Sequence, residues 1–176
     1  MIDALHIRHA TAKDAEALAR IGEQTFRDTF AAANTAEDMD LHCRDNYGPS
    51  IQAGEISNPD MLTLLAEAEN GIIGFCQLRW GPAPPCVQAD TPGEILRLYV
   101  LSGWHGRGIA QRLMEAALDA LRQRGSDRVW LGVWEHNPRA IAFYGKYGFT
   151  EVGAHVFAVG TDPQRDLVMV RRVVSD

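Results

Sequence analysis

The sequence predicts a mixed α/β fold, with one sheet covered by helices on both faces. Three observations carry this. The hydrophobic period switches along the chain in the order β-α-α-(α)-β-β-β-α-β-α-β-β, which amounts to about seven strands. Two apolar strand segments, Glu94–Val100 and Arg128–Val133, each run into a helix-start signal. Two hairpin signals, Glu69-Asn70-Gly71 and Gly160-Thr161-Asp162-Pro163, each lie between strand patterns.

In order, Leu5 to Ala10 alternates as a short first strand. Thr11 is the expected N-cap of a helix that runs to about residue 30, with Asp14 completing a capping box. Leu18, Ile21, Phe26 and Phe30 give that helix its apolar side. Thr35 opens a second helix over Ala36 to about Asn46, and a short third is predicted near Ile51–Ile56, ahead of Asn58-Pro59. Met61–Glu67 and Ile72–Trp80 are strands. Gly81 to Gly93 is proline-rich, without apolar periodicity, and reads as a functional or mobile loop. A strand from Glu94 then meets glycines at 103, 106 and 108, and Ile109, Leu113, Ala117 and Leu121 follow at helical spacing, to stop by Gly125. Apolar residues on both faces of Arg128–Val133 mark a buried central strand. Asn137 (N-cap) and Pro138 (first position) open the next helix, and Gly148 closes it. Phe149–Val159 and Asp166–Val173 form the last strand pair.

At 176 residues the chain reads as a single domain, residues 1–176, with enough length to bury a core. A net charge of −6 disfavours sequence-independent nucleic-acid binding, which needs a basic stripe, and is compatible with a cationic small substrate. Cys43, Cys76 and Cys86 are odd in number and irregularly spaced, so neither a disulfide framework nor a metal site is expected; free thiols fit a reducing cytoplasm. Residues 1–6 lack a basic segment and an apolar run, so no secretory leader is expected, and no stretch is long enough to span a membrane.

The strand–glycine turn–helix unit aims several backbone N–H groups and the positive end of a helix dipole at one point. A phosphate-bearing ligand suits that point; a plain turn using glycine for its dihedrals is the alternative. The order Gly103-x-x-Gly106-x-Gly108 fits neither a dinucleotide fingerprint nor a Walker loop. The segment His105-Gly106-Arg107-Gly108-Ile109-Ala110 resembles the acetyl-CoA loop Gln/Arg-x-x-Gly-x-Gly/Ala of the GNAT superfamily of N-acetyltransferases, with His105 departing at the first position. Asn137-x-x-Ala140-x-x-Phe143-Tyr144-x-x-x-Gly148-Phe149 resembles that family's second signature at every position. Thr25 to Phe30, and Val133-Trp134-Glu135, further resemble the spermidine/spermine (polyamine) branch.

The resemblance implies a mostly antiparallel sheet with a splayed central strand pair, and acetyl-CoA as cosubstrate without a metal. It implies that Leu98, Tyr99 and Val100 line the pantetheine arm, with the Val100 N–H facing the developing oxyanion. The backbone of His105, Gly106, Arg107, Gly108, Ile109 and Ala110 is expected to hold the pyrophosphate, with Asn137 and Lys146 as further cofactor contacts.

An alkyl amine has a pKa of about 10.4, so freeing its nucleophilic form at pH 7 costs roughly 4–5 kcal/mol. A base or a water chain is therefore needed, together with an N–H for the oxyanion and a proton for the thiolate. The resemblance implies Tyr144 as the acid, with a core aromatic as the alternative. The resemblance implies Glu94, at the start of the central strand, as a base working through water, with a solvated strand-end charge as the alternative. Phe26, Asp28, Phe30 and Glu37 on the early helices are the expected acceptor contacts, although such acids often only solvate a helix face. His105 is expected to make cofactor binding weaken as pH rises through its titration, unless Arg107 supplies the charge. The reading is direct acetyl transfer, without a covalent enzyme intermediate, to a small amine, with a polyamine as first choice and a homodimer as the expected assembly. A non-catalytic acyl-CoA-binding module is one rival; transfer to a protein N-terminus or lysine is another.

Overall fold

The computed structural model describes residues 5–173. Residues 1–4, part of the segment read above as lacking a leader, lie outside the described residues. The elements are β1 (His6–His9), α1 (Ala15–Phe30), α2 (Ala36–Asn46), α3 (Pro49–Ser57), β2 (Met61–Ala68), β3 (Gly71–Trp80), β4 (Pro92–Val100), α4 (Ile109–Gln123), β5 (Arg128–Trp134), α5 (Pro138–Lys146), β6 (Thr150–Val159) and β7 (Asp162–Arg172). They build a seven-stranded sheet in the order β1-β2-β3-β4-β5-β7-β6. Every pairing is antiparallel except β4 with β5, which is parallel.

Local chemistry explains the boundaries. Thr11 and Asp14 form the expected capping box, and Arg8 clamps Asp14 at 2.9 Å. A 3-10 turn at Ala12–Asp14 precedes α1. Thr35 accepts from the Asp38 N–H at the start of α2. The third helix is longer than expected because Pro49 occupies its first turn, where no N–H is needed. β4 begins at Pro92 rather than Glu94. Gly93 permits this, because a Cβ there would run into Leu121 of α4. The last hairpin turns at Gly160 (φ 59°) and Thr161, so β7 starts at Asp162. Asp38 of α2 holds that turn, accepting from the Thr161 N–H at 2.7 Å and from its hydroxyl at 2.8 Å.

Two apolar layers sandwich the sheet. On one face Leu113, Met114, Ala117 and Leu121 of α4 pack with Leu64, Leu78, Ile95, Leu131, Tyr144 and Phe149. On the other, α1 and α2 bring Phe26, Phe30, Met39 and Cys43 against Tyr99, Trp134 and Phe157. The proline-rich loop lies along the same face, where Val87 is buried with Trp130 and Val168. No residue from 81 to 93 lines the large central cavity described below, so that segment is a cover for the sheet rather than a wall of the cavity.

The feature that positions the site is in the middle of the sheet. Between β3 and β4 the register moves from Gln77↔Arg97 to Leu78↔Ile95, so Leu96 is an extra, bulged residue. Between β4 and β5 pairing stops after Pro92↔Arg128, Gly93↔Val129 and Glu94↔Trp130. From the bulge onward the two strands diverge, and the sheet opens into a wedge.

Candidate active site

A cavity of about 1040 Å³ fills the wedge and continues under α1 and α2. One wall is the free edge of β4. The Leu101 N–H bonds to Ile73 of β3, so by strand alternation the N–H and C=O of Val100 point the other way, into the gap. The Val100 carbonyl is taken by His105 Nε2 at 2.7 Å, whereas β4 and β5 have no ladder pairing at this level. Leu98, Tyr99 and Val100 all line the cavity.

At the mouth, Gly106 (φ 75°) and Gly108 (φ 78°) adopt the left-handed region that favours glycine, and Gly108 is the N-cap of α4. A Cβ at either position would meet nothing, so their need for glycine is conformational. The turn sets the first amides of α4 at the cavity, and Gly106, Gly108, Ile109 and Ala110 all border it. Asn137 caps α5, its Oδ1 accepting from the Ala140 N–H at 3.2 Å, and with Lys146 it borders the same mouth.

His105 has a partner on each ring nitrogen. Its Nε2 faces a carbonyl, which only accepts, and its Nδ1 lies 3.0 Å from Nη1 of Arg139, which only donates. Those two partners match Nε2–H donating to the Val100 carbonyl and Nδ1 accepting from Arg139. The permanent charge beside the turn belongs to Arg139, which borders the cavity. Arg107 stacks over Trp104 at 4.9 Å and is not part of the lining. Arg139→Ala is expected to raise the Kd for coenzyme A about five- to tenfold. Calorimetric titration checks it.

Tyr144 is buried, in edge contact with Phe143 and Phe149, and lines the cavity. Burial pushes its phenol well above the ordinary tyrosine value, with the nearby Cys76 acting in the same direction, so it holds its proton at neutral pH. Tyr99 is shifted the same way, again chiefly by burial.

Glu94 sits elsewhere. It is buried, outside the cavity lining, and bound to Arg79 at 2.9 Å. Burial raises its carboxyl, opposed by Arg79. Glu37 also lies outside the lining, on the exposed first turn of α2. Phe26, Asp28 and Phe30 do line the inner end.

Several lining groups carried no signal in the motifs. His42 of α2 stacks on Phe26 at 4.0 Å, and burial pushes it down to about 4, leaving the ring uncharged. Arg97 of β4 is nearly buried, donating to Glu55 of α3 at 2.8 Å and to Gln77 at 2.6 Å, with its guanidinium over Tyr47. Asp166 of β7 completes the inner wall. A charge set within an apolar strand, as Arg97 is, was the one sequence signal available for this group. Their convergence depends on the sheet order.

The residues fit a long phosphate-bearing acyl carrier. A free strand edge with an inward N–H, a glycine turn opening a helix, and a protonated phenol between them define a transferase that takes an acyl group from such a carrier. The model of the acetyltransferase (GNAT) family matches residues 23–149, and the chain belongs to that family. It is 32% identical over 163 residues to an uncharacterized N-acetyltransferase of Lactobacillus delbrueckii subsp. lactis, covering 92% of this chain and 94% of that one. It is 28% identical over 149 residues to a spermidine N(1)-acetyltransferase of Thermoplasma acidophilum, covering 82% and 88%. The solved PaiA N-acetyltransferase of Thermoplasma acidophilum, in complex with coenzyme A, has a TM-score of 0.76 at 26% identity, covering 96% and 99%. The protein is an acetyl-CoA-dependent N-acetyltransferase of the GNAT type.

Among the described residues no helix is long and apolar enough to cross a membrane. Among them, too, no group of three or more His, Cys, Asp or Glu is placed to hold a metal ion.

Proposed function

We propose that the protein acetylates the primary amine of a small cationic molecule, with a polyamine as the first candidate. The observation that carries this is the inner end of the cavity. It is walled by Phe26, Phe30, Tyr47, Tyr99, Trp134 and Phe157, with Asp28 and Asp166 as carboxylates outside the Arg97–Glu55 pair. Aromatic faces hold ammonium groups through their quadrupole, and the methylene stem of an alkyl amine packs against the same rings. The similarity to a spermidine acetyltransferase supports the same class.

Acetyl-CoA supplies an acetyl group on a thioester. In this reading the Val100 N–H donates to the carbonyl oxygen as charge develops there. Residues 105–110 and Arg139 hold the diphosphate, and Asn137 and Lys146 flank the arm. Tyr144 gives its proton to the departing sulfur. The same reading places the protein in the cytoplasm, on its thiol usage. It also expects a homodimer through β6, an edge strand on which Val152 and Val156 are exposed.

The test is thiol release from acetyl-CoA across a panel of polyamines, amino acids, aminoglycosides and peptides. A polyamine or another alkyl diamine is expected to give the highest kcat/KM. Preference for a peptide N-terminus would overturn the small-amine reading, and tight coenzyme A binding with no transfer to any amine would overturn the enzymatic one.

A further inference from the structure

We propose that Asp166 receives the ammonium group of the acceptor and takes its proton, with His155 as the way out to solvent. This rests on the N-acetyltransferase reading and names the base that reading requires.

Asp166 is held at the inner wall of the wedge by the sheet order itself. β7 pairs with β5, placing Asp166 opposite Trp134, and with β6, placing it opposite His155. Its side chain is 10% exposed and it lines the same cavity as Tyr144 and Val100. Oδ1 is buried without a hydrogen-bond partner. A buried carboxylate oxygen left unpaired is costly, and a donor arriving in the cavity removes that cost. An ammonium group brings three N–H donors and the opposite charge.

The other oxygen, Oδ2, faces His155 Nε2 at 4.0 Å. Gly132 makes room for both groups. A Cβ there would stand 2.8 Å from His155 Nε2 and 3.0 Å from Asp166 Oδ2. His155 is half-buried and opens on the far side into a surface groove with Trp134, Glu135 and His136. The pair thus connects the acceptor end of the cavity to bulk water by a route that does not pass the cofactor mouth.

The groups facing Asp166 are few. His155 comes from β6 and Trp134 from β5, and from β4 the Tyr99 hydroxyl is near enough to feel its charge. Among the described residues no arginine or lysine is paired with the carboxylate. Glu94, by contrast, has Arg79 on it. Burial pushes the Asp166 carboxyl up to about 6 and pushes His155 down. A carboxylate in that range is still ionised at neutral pH and is a better base than an ordinary aspartate.

In the step, one N–H bond of the ammonium breaks and an O–H bond forms on Asp166. The electron pair stays on nitrogen, which becomes the nucleophile. The proton then crosses the 4.0 Å gap to the imidazole of His155 through a bridging water and passes on to bulk water, which restores the carboxylate. The net product is one proton released per acetyl group transferred.

The experiment uses the full chain with acetyl-CoA and the best amine of the panel. Asp166→Asn is expected to lower kcat/KM for the amine at least a hundredfold, with the Kd for coenzyme A within about threefold of wild type. The wild-type profile of kcat/KM is expected to bend downward below about pH 6, where the carboxyl takes a proton and stops acting as a base; the variant is expected to lose that bend. A second readout does not depend on turnover. In protein labelled with 13C at the aspartate carboxyls, one resonance absent from Asp166→Asn is expected to titrate near 6, and to shift its midpoint downward when the amine is added without acetyl-CoA. His155→Ala is expected to lower kcat by a smaller factor. The proposal is overturned if Asp166→Asn keeps activity and the acid bend, if Glu94→Gln removes that bend, or if the labelled carboxyl ignores the amine. A chain that binds coenzyme A but transfers to no amine overturns the reading beneath it instead.

Discussion

Tyr144→Phe is expected to lower kcat by about two orders of magnitude while leaving the Kd for coenzyme A within about threefold. The reason is what the substitution removes. The ring stays, so the contacts to Phe143 and Phe149 persist, and only the hydroxyl is lost. General acid catalysis contributes about 10²–10⁴-fold, and a thiolate leaving without a proton donor forfeits it. Because burial raises this phenol, its proton is in place throughout the neutral range, and no alkaline loss of activity below about pH 10 is expected from this group. Stopped-flow turnover and calorimetry on the two proteins check the result. Equal turnover would remove Tyr144 from the chemistry and leave it a core aromatic.

The second large effect is on stability. Arg97→Met is expected to cost about 3 kcal/mol and to lower Tm by roughly 10 °C. Arg97 is 11% and Glu55 18% exposed at the side chain, and the guanidinium also satisfies Gln77. Gln77 in turn donates to Gln52 and Glu55 of α3 and to Thr63 of β2. Methionine fills the space but leaves the Glu55 charge without its cation and the Gln77 carbonyl without its donor. The double variant Arg97→Met/Glu55→Gln is expected to regain part of the loss, because no unpaired charge remains. Chemical denaturation of the four proteins checks it. A single variant as stable as wild type would show that Glu55 is solvated rather than held.

Much of the architecture was legible because strong local signals agree with the global fold. Thr35, Asn137-Pro138 and Gly148 each act at the helix end where they are expected, whereas Thr11 caps the 3-10 turn ahead of α1, whose own N-cap is Asp14. The errors of boundary have local causes. Pro92-Gly93 looks like loop chemistry, yet it pairs in parallel because Gly93 allows α4 to approach. Half of the site was also legible. The glycine turn and the α5 start are contiguous motifs, and both border the cavity, on the side the proposal gives to the carrier.

The acceptor side was not, because it is assembled from single residues far apart in the chain. His42, Glu55, Arg97 and Asp166 come from α2, α3, β4 and β7, and only the order β4-β5-β7-β6 brings the last of these to the wedge. Glu94 illustrates the same point in reverse. It is expected near the chemistry from its place at the start of the central strand; the strand begins two residues earlier, and the carboxylate lies outside the cavity lining, on Arg79. His105 departed from its motif, and a contact made across the chain, to Arg139, gives it its task.

The central claim is that the carrier lies in the opening between β4 and β5. A crystal structure with coenzyme A bound tests it most directly. The account predicts the pantetheine arm along Leu98–Val100, the diphosphate on the amides of residues 105–110, and the sulfur beside Tyr144. Coenzyme A bound outside the wedge, or β4 and β5 paired through Val100, would contradict it.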